Sequence, residues 1–170
     1  MNLAQLNIAL AKELSDHQVM KEFTDNLAPI NQLAEASEGF IWRLTDSADS
    51  EAPSDTTNNT TNNTTNNTTN DDIKNLAIDD PKLLVNMSVW ESPDALKQFM
   101  FKTHHLGFMQ RKQEWFTKLP AANHVLWWIP EGHLPDLAEG WHRLNHLREK
   151  GESPFGFTFK SKFTPADLHT

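Results

Sequence analysis

At 170 residues and 19.4 kDa, the chain is long enough for one domain with a real core and too short for two full ones. A formal charge of -8 and a pI near 5.4 argue against a nucleic-acid partner, whose phosphates need clustered Lys and Arg. No apolar run approaches the ~20 residues of a membrane span. The absence of cysteine excludes disulfides and thiolate ligands, and the start Met1-Asn2-Leu3-Ala4-Gln5 has no leader-like apolar region, so a cytoplasmic protein is expected.

Leu3 to Ala9 alternates, with Ala4, Leu6 and Ile8 on one side, which is the period of a half-buried strand. From Asp16, placed as a cap, Val19, Met20, Phe23, Leu27, Ile30, Leu33 and Ala34 follow helical spacing, and Gly39 lies past the end. Pro29 removes an amide donor inside this helix and predicts a kink or a split. Phe40 to Leu44 reads as a second strand. Ser, Asp, Thr and Asn then replace the apolar pattern, and Thr56 to Asn70 repeats Thr-Thr-Asn-Asn, so about 46–80 is expected to be a disordered loop insertion in a single domain of residues 1–170.

Leu83 to Trp90 is the third strand. Ser92-Pro93 supplies a cap and a first-turn proline for a helix expected to reach Phe116. Leu96, Phe99, Met100, Thr103 and Leu106 form one stripe on it, and Phe101, His105, Phe108, Met109 and Phe116 form another, so it needs cover on both sides, from the segment Phe155 to Phe159 or from a partner. His124 to Ile129 is the fourth strand. A last helix opens at Pro135, carries Leu137, Ala138, Trp141, Leu144 and Leu147, and ends at Gly151.

The order β-α-β-β-α-β-α predicts an α+β fold, a ferredoxin-like antiparallel sheet with helices on one face. The fourth strand is apolar on both sides, so the second face also needs cover. A second copy is the simplest cover, which gives a homodimer built as a dimeric α/β barrel. With the apolar parities Ala4, Leu6, Ile8, Val85, Met87 and Val89 toward the helices, Gln5, Asn7, Asn86, Ser88 and Trp90 point into the barrel. Strand four adds either His124 with Trp128, or Trp127; strand two adds Trp42 or Arg43. A few polar groups among aromatics are what orient a small ligand in an apolar cavity, and the candidate binding set is Gln5, Asn7, Arg43, Asn86, Ser88 and Trp128. The alternative is that these groups satisfy one another, the backbone or trapped water.

His105, flanked by Phe101 and Met109, is placed either to ligate an iron or shuttle a proton, or to sit in the core bonded to a carbonyl. Arg111 and Trp115 have the spacing of a stacked cation and indole. Glu91 favours a helix N-terminus. His142 and His146 resemble half a zinc site, but no third ligand is in register and no metal is expected. No Gly-rich phosphate loop or nucleophile elbow is present.

Leu3 to Ala9, Gly39-Phe40-Ile41-Trp42-Arg43-Leu44, Asn86 to Ser92, the Phe99 to Phe116 helix ending Glu114-Trp115-Phe116, and His124-Val125-Leu126-Trp127-Trp128-Ile129-Pro130-Glu131-Gly132-His133 together resemble the domain of unknown function 3291 family. The resemblance covers nearly the whole chain apart from the Thr/Asn loop and implies a dimeric α/β barrel; the family has no established activity. His105 matches its typical histidine. Val89-Trp90-Glu91-Ser92 before a histidine-bearing helix is also similar to the antibiotic-biosynthesis-monooxygenase group, which includes cofactor-free oxygenases and haem degraders, and Trp90 to Phe116 is distantly similar to the haem-containing spheroidene monooxygenases. This chain has Phe99 and Met109 where the haem degraders carry tryptophan and histidine. These readings imply a homodimer that binds a small, largely apolar molecule. In its enzymatic version it is oxygenase-like, with no cofactor or with haem; Trp90 stacks on substrate, His105 transfers a proton or ligates iron, and Asn7 and Asn86 orient a carbonyl or hydroxyl. The alternative is a non-catalytic binding or structural homodimer.

Overall fold

Strand β1 (Asn2–Ala11) forms the centre of one antiparallel sheet. Along one edge it pairs with β3 (Leu83–Trp90), from Leu3 opposite Trp90 to Leu10 opposite Leu83. Along the other it pairs with β5 (His124–Ile129), and the two-residue β4 (Phe116–Thr117) extends that edge opposite Leu10 and Ala11. β2 (Phe40–Arg43) flanks β3 through an irregular register. The computed structural model describes residues 1–45, 80–102 and 105–169. The fold is α+β, with five strands among the described residues. Apart from Asp80, the expected Thr/Asn-rich loop lies outside the described residues.

Among the described residues four α-helices complete the fold, and their bounds depart from the expected ones. α1 (Lys21–Glu35) begins after a short 3-10 turn capped by His17, not at Asp16. It runs unbroken through Pro29, because losing one amide donor is outweighed when Ile30, Leu33 and Ala34 beyond it pack on the sheet. The single helix expected from Ser92 to Phe116 is two, α2 (Pro93–Lys102) and α3 (His105–Trp115), and Phe116 belongs to β4. Splitting lets Leu96 and Phe99 of α2 pack on one part of the sheet while Trp115 of α3 joins Ala11 and Met20 on another. The Ser92 hydroxyl caps α2 as expected, accepting from the Ala95 amide at 3.1 Å. α4 (Leu137–Lys150) starts two residues after Pro135, with Asp136 as its cap. Gly39, at φ +78°, lets the start of β2 pass close to α2: a Cβ there would lie 2.6 Å from that of Ala95.

Both faces of the sheet are covered by this chain. Ala4, Leu6, Ile8, Met87, Val89, Val125, Trp127 and Ile129 lie beneath Trp141, Leu144 and Leu147 of α4. The opposite parity, Leu3, Trp90, Leu126 and Trp128, packs on α1, α2 and the C-terminal segment carrying Phe157. A second subunit was expected as cover for an open sheet face, and α4 of the same chain covers that face. It also corrects the parity assignment: the apolar parity does face a helix, but that helix is α4, and Gln5, Ser88 and Trp90 face α1 and α2 instead of a barrel interior.

Candidate functional site

Alternation along three paired strands assembles a polar band on the α1/α2 face. Gln5 lies opposite Ser88, and Asn7 lies between Asn86 on β3 and His124 on β5. Gln5 Nε2 donates to Asn86 Oδ1 at 2.7 Å and to Ser88 Oγ at 2.9 Å, and Trp90 Nε1 donates to the same Ser88 oxygen at 2.9 Å. Gln5 and Ser88 are buried, Asn7 is half-buried and Asn86 is exposed. Apolar clusters around Leu3, Trp90 and Trp128 and around Ala11, Met20 and Trp115 bracket the band.

His124 closes the band at β5. Its ring stacks on Phe159 with centroids 5.4 Å apart and planes 18° apart. Its Nε2 is buried and has no hydrogen-bond partner among the described residues. Burial pushes its pKa down to about 4, so the imidazole is neutral at neutral pH. Such a ring offers one donor and one acceptor nitrogen.

Beside the band lies a half-open groove of about 410 Å³. Leu126 and Trp128 line it from the sheet, Phe157, Phe159 and Phe163 from the C-terminal segment, and Lys97 from α2. Trp128 Nε1 donates to the Phe163 carbonyl at 3.0 Å, which orients its indole. The C-terminal segment is fastened to β5 by the Phe157 and Leu126 amides, each donating to the other's carbonyl, at 2.9 and 2.7 Å. Glu152 anchors it further, accepting from the Ser161 and Thr158 hydroxyls and the Thr158 amide; these bonds hold its carboxyl below the usual range. Phe159 belongs to both halves of the site, lining the groove and covering His124.

The structure therefore brings together Gln5, Asn7, Asn86 and Ser88, and sets Trp128 in the adjoining groove. Arg43 is not among them: its Nε donates to Glu35 Oε1 at 2.7 Å, which turns it to the edge between β2 and α1. Trp90 is sealed between Phe99, stacked at 5.3 Å, and the edge of Phe40 at 5.3 Å, so its indole holds Ser88 and has no open face for a ligand. His105 opens α3, but its side chain lies outside the described residues. Trp127 points to the α4 face, where its Nε1 donates to Glu139 Oε1 at 2.8 Å. Phe159 and Lys97 were not assigned to a site in the sequence reading; the signal available was the Phe155-Gly156-Phe157-Thr158-Phe159 alternation, read there only as cover.

Other candidates resolve as structural contacts. The Arg111 guanidinium lies 4.9 Å from the Trp115 ring, the stack that their spacing suggested, and it bonds Glu22 and Glu114, holding both carboxyls below their usual range. His142 and His146 flank Phe155, and His146 Nε2 is 3.2 Å from Ser153 Oγ. Among the described residues, no group of three or more His, Asp or Glu is placed to hold a metal, and no helix is long and apolar enough to cross a membrane. Among the described residues, the buried imidazole nitrogen without a hydrogen-bond partner is that of His124, whose ring face Phe159 covers.

No curated protein and no solved structure matches the chain. A family model described as Domain of unknown function (DUF3291) matches residues 2–170, which includes every strand and helix that builds the groove and the band. The chain belongs to the DUF3291 family.

Proposed function

We propose that the protein binds a small, largely apolar molecule on the sheet face that carries the polar band. The observation behind this reading is that the 410 Å³ groove and the buried, unpartnered Nε2 of His124 meet at one side chain, Phe159. A volume in the range of ~300–1,000 Å³ suits a small ligand, and apolar walls with a few polar groups suit selective binding. A buried polar atom left without a partner costs about 1–3 kcal/mol, so its retention calls for a ligand or a water. In this reading Leu126, Trp128 and Phe157 pack the apolar part of the ligand. Asn7, Asn86 and His124 orient a carbonyl or hydroxyl, and Trp90 positions Ser88 and Gln5.

Oxygenase-like turnover, with His105 as the proton-transfer group, is an extension supported by family resemblance and not by the geometry of the band. The strand order β2-β3-β1-β5 supports a ferredoxin-like reading, with α4 as an added cover. A homodimeric barrel is not needed for binding, since two sheets meeting face to face would have to displace α4 or the α1/α2 layer. A cytoplasmic location fits a cysteine-free chain and goes with this proposal.

A thermal-shift screen of small aromatic and aliphatic compounds, followed by NMR of the tryptophan indole N–H groups, tests the reading. Compounds that raise Tm are expected to move the Trp128 indole signal and leave Trp141, on the other face, in place. If no compound stabilises the protein, or if the shifts gather elsewhere, the band is a structural network satisfied by water. Titration with haem is expected to leave the free-haem spectrum unchanged.

A further inference from the structure

We infer that the ligand class of this groove is an amphiphilic carboxylic acid, its carboxylate held by Lys97 and Lys162 and its hydrocarbon part lying on Leu126, Trp128 and Phe157. The inference rests on the binding reading above and adds the charge of the ligand. The groove is lined by two lysines and one acid, Asp94, in a chain whose formal charge is -8. Lys162 has no ion pair among the described residues. Lys97 lies 3.9 Å from Asp94, whose side chain is 87% exposed, a loose contact that an incoming carboxylate can replace at little cost. The Lys97 ammonium also sits 5.5 Å from the centre of the Phe159 ring, which holds it over the groove.

The neutral polar groups lining the groove are already used. The Thr158 and Ser161 hydroxyls donate to Glu152, and the Thr164 hydroxyl donates to Asp167. Within the groove's own lining, what remains to meet an anionic group is the pair of ammonium groups, with the positive end of the α2 dipole behind Pro93 and Asp94 adding to them; Asn7, Asn86 and His124 belong to the adjoining band. Lysine presents a point charge without the planar fork of arginine, which suits one small anionic group on an otherwise apolar molecule. Asp94 works against an anion once Lys97 leaves it, and its 87% exposure lets solvent screen that repulsion.

The test compares sodium decanoate, 1-decanol and sodium acetate, each below its aggregation limit, by calorimetry on the full chain. The comparison is repeated on Lys97→Met, Lys162→Met and the double variant, which remove the charge and keep most of the unbranched side chain. Decanoate is expected to bind at least tenfold more tightly than decanol, to weaken as salt is added, and to fall to the decanol level in the double variant. Equal binding of decanoate and decanol overturns the acid preference and leaves the apolar site standing. Acetate binding as tightly as decanoate overturns it as well, leaving only a surface anion contact. If neither decanoate nor decanol binds the unmodified protein, the groove is not a ligand site, and both the acid preference and the binding reading fail.

Discussion

Beneath α4 the sheet presents an apolar cluster, and the indole nitrogen of Trp127 in that layer is met by Glu139. Glu139 also accepts from Arg143 at 3.4 Å and faces His133 Nε2 at 2.7 Å, while Asp136 caps its amide. Beneath α1 and α2, residues one position along the same strands place three amides, a hydroxyl and an imidazole between apolar clusters, and the imidazole nitrogen goes unmatched among the described residues. One face is closed in hydrogen bonding and the other is not. A sheet whose two faces are both covered by its own chain can therefore still divide its work, with one layer holding the fold and the other keeping unused polar capacity beside a groove.

The largest effect that tests this division is expected under α4. Leu144→Ala should cost about 2–5 kcal/mol, because a fully buried side chain leaves a cavity that its neighbours fill only in part. Urea denaturation gives the loss, and ligand binding in the groove should be unchanged. A loss below about 1 kcal/mol would mean that α4 is not the structural layer.

His124 sharpens the contrast through pH. Its folded pKa is pushed down to about 4 by burial from an ordinary 6.5, so the unfolded chain takes up a proton first as pH falls. Stability is fully present above about pH 6.5 and drains away between there and pH 4, by up to about 3 kcal/mol. The carboxylates of Glu22 and Glu114, lowered by Arg111, titrate below their ordinary 4.5, so what they contribute is present above that pH and is lost only at more acid pH. His124→Phe should remove the slope in the 6.5 to 4 window and melt higher than wild type at pH 5. A wild-type slope retained in the variant would assign the titration to another group.

The smallest effect concerns the band itself. Ser88→Ala should cost about 1–2 kcal/mol, since it leaves the Trp90 indole N–H without an acceptor, while Gln5 keeps Asn86. Chemical denaturation measures the loss, and indole N–H exchange should speed up at Trp90 and not at Trp127. Equal exchange at both would show that the two faces are not distinguished by how their polar groups are satisfied.

The alternation of β1 and β3 made it readable before any fold was known that Gln5 and Asn7 share one parity and Asn86 and Ser88 another, because a strand's period of two determines which side chains share a face; the register that pairs them is a property of the folded sheet. The α1 stripe and the Ser92 cap were readable for the same local reason. Arg43 was misplaced because parity cannot foresee that Glu35, eight residues earlier at the end of α1, would draw it to the edge. The break between α2 and α3 was hidden by a continuous apolar pattern, which records that residues need cover without recording which surface supplies it.

The amino-acid order by itself determined four of the five described strands, which side chains share a face on β1 and β3, the approximate places of the helices and the polar character of the band, since each follows from spacing within a short stretch. Tertiary structure alone decided that α4 would take the apolar face, that Trp90 would be walled in by Phe40 and Phe99, and that Phe159 would lie on His124 and shape the groove. Those outcomes depend on how elements far apart in the chain compete for the same sheet surface, and burial of that kind is proportional to area and blind to sequence distance.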